Sequence, residues 1–469
     1  MFIGRIEQLE KLNRMLDGFR QSKSSTPGKA LLIRGRRRVG KSRLVEEFLQ
    51  QTDIPYVFFT ATGRPVHDEL KLFAEEVSSS SLPNAALFES AEFSSWDAAF
   101  ALLATVIPAE GCVIVFDEMP YLMLQDPGFE GSLQKAFDRT LSKQRVLFVG
   151  VGSDLAMMEK LNTYGRPFYQ RATEFVIPPL SPKEVSEMLG FNAVDSFDAY
   201  LITGGLPLIL AEWPTGATTW EYLEEALNDA TSALLVSGER VLAAEFADEV
   251  QARTVLSAIG DSQRTFGNIG RAAGNMAGTS LTRSLKLLEH KRMVQVEQPY
   301  SVRASQRRTQ YRIADSYLRF WLAFLEGGLS EIERGRGDRV LNRIRKSWPS
   351  WRGQAIEPVL REGLDRSLLG SALLPDSATS YVGSWWTRDY AHEIDIVVGD
   401  SMPTAKQILA VGSIKWREKA PFGQRDLAEL YGHLPKLPGF TDEIPIIAVS
   451  RSGVEVGGVH EVTPEELLW

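Results

Sequence analysis

The sequence predicts an α/β chain: a parallel sheet with helices on both faces, then a helical subdomain, a winged helix and a second α/β module. Three observations predict it. Short apolar runs recur at 30–33, 56–59, 112–116, 146–149 and 175–177, with helical patterns filling most of the intervals, and that alternation marks a buried parallel sheet. After Pro178-Pro179 the strand runs stop and helical patterns take over. At 469 residues the chain exceeds one ordinary hydrophobic core, so several domains are expected.

Leu9, Leu12, Met15, Leu16 and Phe19 form one helical stripe, and the polar run 21–29 reads as a loop. The strand at 30–33 then leads into Gly35-Arg36-Arg37-Arg38-Val39-Gly40-Lys41-Ser42, and a helical run follows at 44–49. This is the G-x-x-x-x-G-K-[ST] pattern with the strand before it and the helix after it that a phosphate-binding loop needs. Its glycines let the backbone fold tightly enough for successive N–H groups and a helix N-terminus to point at a phosphate. The loop from Gly35 through Arg43 would cradle ATP, with Lys41 reaching the β- and γ-phosphates and Ser42 binding Mg2+. Arg36, Arg37 and Arg38 face either the phosphates or solvent; the pattern does not choose.

The apolar run 112–116 ends in Asp117 and Glu118. Asp117 would hold Mg2+ through water, and Glu118 would orient and polarise the water that attacks the γ-phosphate. Alone, the two acids would read equally as a strand leaving into solvent or capping the helix after Pro120. Ser153 closes the next strand, where ligand contacts gather in parallel sheets, and is placed to sense the γ-phosphate. Arg171, or Arg166 before it, would stabilise transition-state charge from within the chain or across a subunit boundary, unless it is an ordinary surface arginine. Together these residues predict a P-loop ATPase using ATP and Mg2+.

A formal charge of -8 excludes a generally basic nucleic-acid coat, so any such surface must be local. The single cysteine, Cys112, excludes an internal disulfide and a Cys-based zinc site, and reads as core filler in a reducing compartment. No stretch holds the eighteen or so apolar residues of a membrane span. A cytoplasmic protein without a membrane anchor is expected.

Beyond the core at 1–180, a helical lid is expected at 181–245, with Ser181-Pro182-Lys183-Glu184 as its N-cap and Gly204-Gly205-Leu206-Pro207 as a break. Helical patterns near 255–259, 268–273 and 280–290, then strand patterns at 294–296 and 310–313, make a winged helix within 246–328. Between 250 and 325 there are twelve Lys and Arg against four acids, a patch able to neutralise phosphates. Thr279, Ser280, Thr282, Arg283 and Lys286 would read a groove of duplex DNA, and Arg303, Arg307 and Arg308 would lie in the wing, so that residues 279–308 form the contact. A lid or protein-binding role with solvated basic residues is the alternative. The charged stretch 331–346 reads as a linker, and 345–469 as a separate module of helix, three strands, helix and strand.

The chain resembles the archaeal-type ATPases with a C-terminal domain of the DUF234 class, within the broad AAA+/STAND-like P-loop proteins. The resemblance rests on Phe2-Ile3-Gly4-Arg5 with Glu7 and Leu9, the loop from Gly35, Asp117-Glu118, Gly152-Ser153, Arg171, Gly204-Gly205-Leu206-Pro207, and Tyr311-Arg312-Ile313-Ala314-Asp315 leading to Arg319-Phe320-Trp321. It implies the same fold and ATP use. The last module is similar to the PD-(D/E)XK nuclease fold, with Glu357 as helix acid, Glu393 and Asp395 on the metal-binding strand, and Ser413-Ile414-Lys415 at the place of E-x-K. Ser413 departs from that pattern, since a hydroxyl cannot replace a carboxylate's charge. Either Glu357 or Glu393 supplies the missing ligand, or the scaffold has lost cleavage, the reading favoured here. The expectation is a nucleotide-gated, DNA-associating switch, in which ATP changes the angle between core and winged helix. A signalling or scaffold ATPase with protein partners or self-association, and an ATP-regulated nuclease, are its rivals.

Overall fold

The computed structural model describes residues 2–22, 24–25, 27–246, 249–260, 264–303, 309–368, 373–374 and 379–469. The chain divides into two compact units, Met1–Pro179 and Leu180–Trp469.

The first unit is a five-stranded parallel sheet of β1 (Lys29–Arg34), β2 (Tyr56–Thr60), β3 (Cys112–Asp117), β4 (Val146–Gly152) and β5 (Ala172–Val176), ordered β2-β3-β4-β1-β5. β3 and β4 are buried along their whole length, as their unbroken apolar runs require. β5 lies at the sheet edge and only Phe175 on it is buried, so the apolar run at 175–177 marks only its end and the strand starts three residues before the expected 175. The core over β2 and β3 is aromatic: Phe59, Phe73, Trp96 and Phe116 meet with ring centroids 5.3–6.0 Å apart. Edge-to-face and tilted geometries among them stabilise beyond the area they bury. Cys112 is buried, as expected of core filler.

The second unit opens with helix Pro182–Leu189, capped by a reciprocal Ser181–Glu184 box. Helix Ala193–Thr203 follows and ends at Gly204, whose φ of 60° supplies the left-handed C-cap. Helices Pro207–Leu210, Thr219–Asn228 and Ala233–Glu245 lead on to helices Val250–Ile259, Phe266–Ala272 and Gly278–His290, with a three-stranded antiparallel sheet of β6 (Arg264–Thr265), β7 (Val294–Glu297) and β8 (Gln310–Ile313) in the order β6-β8-β7.

Residues 331–346 do not form a linker. A helix of 31 residues, Gly337–Ser367, runs through that stretch and onward into the last module. In its first half Asp338, Arg339, Arg343, Arg345 and Lys346 are exposed, while Val340, Leu341, Ile344, Trp348 and Trp351 are buried. The final sheet has the order β13-β12-β11-β10-β9, formed by β9 (Tyr381–Trp386), β10 (Glu393–Gly399), β11 (Ile408–Lys415), β12 (Ile446–Ser450) and β13 (His460–Val462). Among the described residues, no helix is long and apolar enough to cross a membrane.

Candidate nucleotide site

β1, β4 and β3 lie side by side, so the loops leaving their carboxyl ends meet along one edge of the sheet. The loop after β1 turns through Arg38 (φ 69°) and Gly40 (φ 85°), both left-handed, before helix Lys41–Gln50 begins. Gly35 is confined as well: a Cβ there would lie 2.5 Å from the Ile177 carbonyl oxygen. The first amides of that helix have no intrahelical acceptor and face the loop's concavity, which suits an anion.

Lys41 is buried, and its ammonium donates to the Gly35 and Arg36 carbonyls at 3.0 and 2.9 Å. Burial lowers its pKa to about 8, against the pull of Glu118 and Asp117, while Arg37 lowers it further. Asp117 is buried too, and burial raises its carboxyl above the ordinary range; the Ser42 hydroxyl bonded to it works the other way. Ser42 and Asp117, two hard oxygen donors in contact, fit the needs of Mg2+. Glu118 is half-buried, with φ 53° and ψ 39°, and its Oε1 accepts from the Ser153 hydroxyl at 2.8 Å. Lys41, Ser42, Asp117, Glu118 and Ser153 are thus brought together. Of the arginines in the loop, Arg37 is exposed and Arg36 and Arg38 are half-buried; Arg43 is exposed and pairs with Glu46 and Glu47 along the helix.

Two features of the site escaped the sequence reading. Arg5, almost wholly buried, donates from Nη2 to the Val39 carbonyl at 3.0 Å and clasps the phosphate loop from the amino-terminal segment. Its only sequence signal was the family-like Gly4-Arg5. The second is the spacing of Gly150 and Gly152 on β4. A Cβ at 150 would lie 2.5 Å from the Met119 sulfur, and one at 152 would lie 2.5 Å from the Met158 sulfur and 2.8 Å from Pro120 Cδ. These glycines let Met119 and Pro120 settle onto β4, which sets Glu118 against Ser153.

Arg171 is not brought to this edge. It directly precedes β5, whose Ala172 lies beside Ala30, whereas the phosphate loop leaves β1 beyond Arg34 at the other end of the pairing, roughly 15 Å away. Its guanidinium forms a two-pronged pair with Asp138 at 2.7 and 2.8 Å. Arg171 thus lies away from its own chain's phosphate loop, contrary to a role there, and action across a subunit boundary and an ordinary surface pairing are the alternatives left to it. Arg166 pairs with Glu130.

Residues 2–213 match the family described as an ATPase domain predominantly from Archaea, and residues 321–426 match DUF234, archaeal and bacterial proteins of unknown function. The chain carries an archaeal-type ATPase domain followed by a DUF234 domain. An uncharacterised protein of Methanocaldococcus jannaschii is 26% identical over 461 residues, spanning 97% of this chain and 96% of that one. Among solved structures, a Walker-type ATPase of Pyrococcus abyssi is 20% identical, covering 68% of this chain and 96% of its own, with a TM-score of 0.48. The ORC2 protein of Aeropyrum pernix is 12% identical, covering 73% and 95%, also with a TM-score of 0.48.

In the second unit, the exposed face of helix Gly278–His290 carries Thr279, Thr282, Arg283 and Lys286, with Ser280 half-buried. The basic excess counted along the sequence is smaller on the surface. Arg312 pairs with Glu297, Arg319 is buried against the carbonyls of Gln354 and Ala355, and Lys291 pairs with Glu245. Arg303 is exposed; Arg307 and Arg308 lie outside the described residues. The connection after β7 is held by the last module: Tyr300 N donates to Ser384 O at 2.8 Å, Tyr300 Oη to Ser401 O at 2.7 Å, and Ala405 N to Ser301 O at 3.1 Å. Tyr300 and Ser301 are thereby fastened to that module.

Proposed function

We propose that this chain is an ATP-hydrolysing, DNA-associating switch whose grip on duplex DNA depends on the nucleotide it holds. The convergence of Lys41, Ser42, Asp117, Glu118 and Ser153 on one sheet edge carries the ATPase half. Lys41 would exchange its two carbonyl acceptors for β- and γ-phosphate oxygens, and the loop amides would hold the rest of the triphosphate. Ser42 and Asp117 would hold Mg2+, which neutralises charge on the phosphates. Glu118, steadied on one oxygen by Ser153, keeps its other oxygen for the attacking water.

The exposed Thr279, Thr282, Arg283 and Lys286 face supports the DNA half, as four side chains of the reading type on one helix surface. Fluorescence anisotropy with a labelled duplex, with and without ATP and Mg2+, tests it. Salt-dependent binding that changes with nucleotide and falls about tenfold or more in Arg283→Glu/Lys286→Glu is expected. Binding absent in every nucleotide state, or unaffected by that double substitution, refutes it. If ATP changes the mass seen by light scattering while DNA does nothing, a scaffold ATPase with protein partners takes its place.

A further inference from the structure

The last module contains a charged cluster that the ATPase reading does not use. Asp395 and Glu393 lie on β10, Glu357 and Arg361 lie one turn apart on helix Gly337–Ser367, and Ser413 lies on the neighbouring strand β11. A PD-(D/E)XK scaffold would gather a divalent metal between such groups. Whether these residues fit one is decided by where their lone pairs and countercharges go.

Oδ2 of Asp395 accepts the Ser413 hydroxyl and the Ile414 amide, each at 2.8 Å. The side chain standing at the second acid's position thus consumes the first acid's oxygen rather than adding a ligand. A fixed positive charge already lies beside the acids. Arg361, buried, donates from Nη1 to the Asp395 carbonyl at 3.1 Å, lies 3.5 Å from Glu357, and reaches within 3.9 Å of Glu297 on β7. Glu297 also takes Arg312, and the Arg319 charge acts on both Glu297 and Glu357. Three guanidiniums therefore face four carboxyls. Burial, with Asp395 and Glu393 alongside, raises Glu357 to about 8. Lys415, the lysine of the nuclease pattern, is 3.6 Å from Glu429. Among the described residues, no group of three or more His, Cys, Asp or Glu is arranged to hold a metal ion.

We propose that the Arg361 guanidinium is the resident cation of this cluster, standing where the nuclease-like scaffold would otherwise require a divalent metal, so that the module takes up no catalytic metal and cuts no nucleic acid. The same charges are put to a different use. Through Glu297 the cluster ties β7 of the three-stranded sheet to the long helix and to β10, joining the proposed DNA-reading region to the DUF234 module by paired charge. The inference is independent of ATP hydrolysis and of DNA binding, since it concerns only what occupies this site.

The full chain, free of nucleotide, is titrated with Mn2+, and the free ion is followed by its electron paramagnetic resonance signal. Wild type and Asp395→Asn are expected to take up equal amounts. Arg361→Met combined with Ser413→Glu, which removes the fixed cation and restores the second acid, is expected to take up about one further Mn2+ per chain, lost again on adding Asp395→Asn. Wild type exceeding Asp395→Asn by one Mn2+, or Mn2+-dependent nicking of plasmid DNA by wild type that Lys415→Ala abolishes, overturns the proposal. A folded double variant that gains no Mn2+ overturns the role given to Arg361. If the double variant does not fold, the comparison of wild type with Asp395→Asn decides alone.

Discussion

The phosphate-loop site and the DUF234 charge cluster both bury ionised groups, yet they satisfy them in opposite ways. At the first, each partner can be displaced. Lys41 rests on two neutral carbonyls, Ser42 on Asp117, and Ser153 on Glu118. A triphosphate with its metal offers stronger, charged partners to the same groups. At the second, carboxylates meet guanidiniums that cannot lose their charge and cannot leave. Burial alone does not mark a working site; what marks it is whether a ligand can outbid the resting partners.

The largest effect should come from removing the buried ammonium at the first site, which rests on two neutral carbonyls. Lys41→Ala is expected to weaken ATP binding and lower phosphate release by about 10²-fold or more, with the DUF234 module unaffected. Labelled-ATP retention equal to wild type would end the comparison. Glu118→Gln should keep ATP affinity but reduce turnover by about 10²–10⁴-fold, seen as binding without phosphate release; equal turnover would remove Glu118 from its role.

At the other extreme stands a charge group made for permanence. Asp198, buried, accepts from Arg352 at 2.9 Å and Arg451 at 3.1 Å, joining helix Ala193–Thr203 to the long helix and to the end of β12. Asp198→Ala leaves buried Arg352 with Glu418 at 3.2 Å and Arg451 with Asp195 at 3.8 Å, and should cost about 3 kcal/mol, read from the urea midpoint of the second unit. A change near zero would show those arginines to be solvated after all.

Smaller effects sharpen the contrast through pH. Glu357 binds its proton up to about pH 8 in the folded chain but only to the ordinary range when unfolded. The folded state then holds more protons between those limits, so its stability falls as pH rises from about 4.5 to about 8 and levels off beyond. Glu357→Gln should flatten that part of a thermal-melting profile; an unchanged slope would refute the burial of this acid's proton. At the phosphate loop the sign reverses with respect to ligand. Above about pH 8 free Lys41 is largely neutral, so ATP binding should draw in a proton, measurable by calorimetry in buffers of differing ionisation enthalpy.

Much of the nucleotide site was legible because it is local. Eight consecutive residues specify the loop, and an unbroken apolar run ending in Asp117-Glu118 specifies its partner. The Arg5 clasp was not, since it closes over 34 residues of separation and depends on where two segments meet. β5 starts earlier than its apolar run because Thr173 and Glu174, at the sheet edge, need not be apolar. The helix Gly337–Ser367 reads as a linker at its start because charge dominates there and its buried apolar side shows only once it is packed. The loss of an acid at Ser413 could be read directly, whereas the cation opposite it needed a helix and a strand to be placed side by side.

That long helix limits how the molecule can be dissected. A fragment starting at residue 345 would discard two of its turns, uncover Trp348 and Trp351 from their packing against Phe320, and leave Arg352 without Asp198. Poor yield or aggregation of such a piece would then reflect where the scissors fell, and an excised tail is no fair witness to what it does in the whole chain.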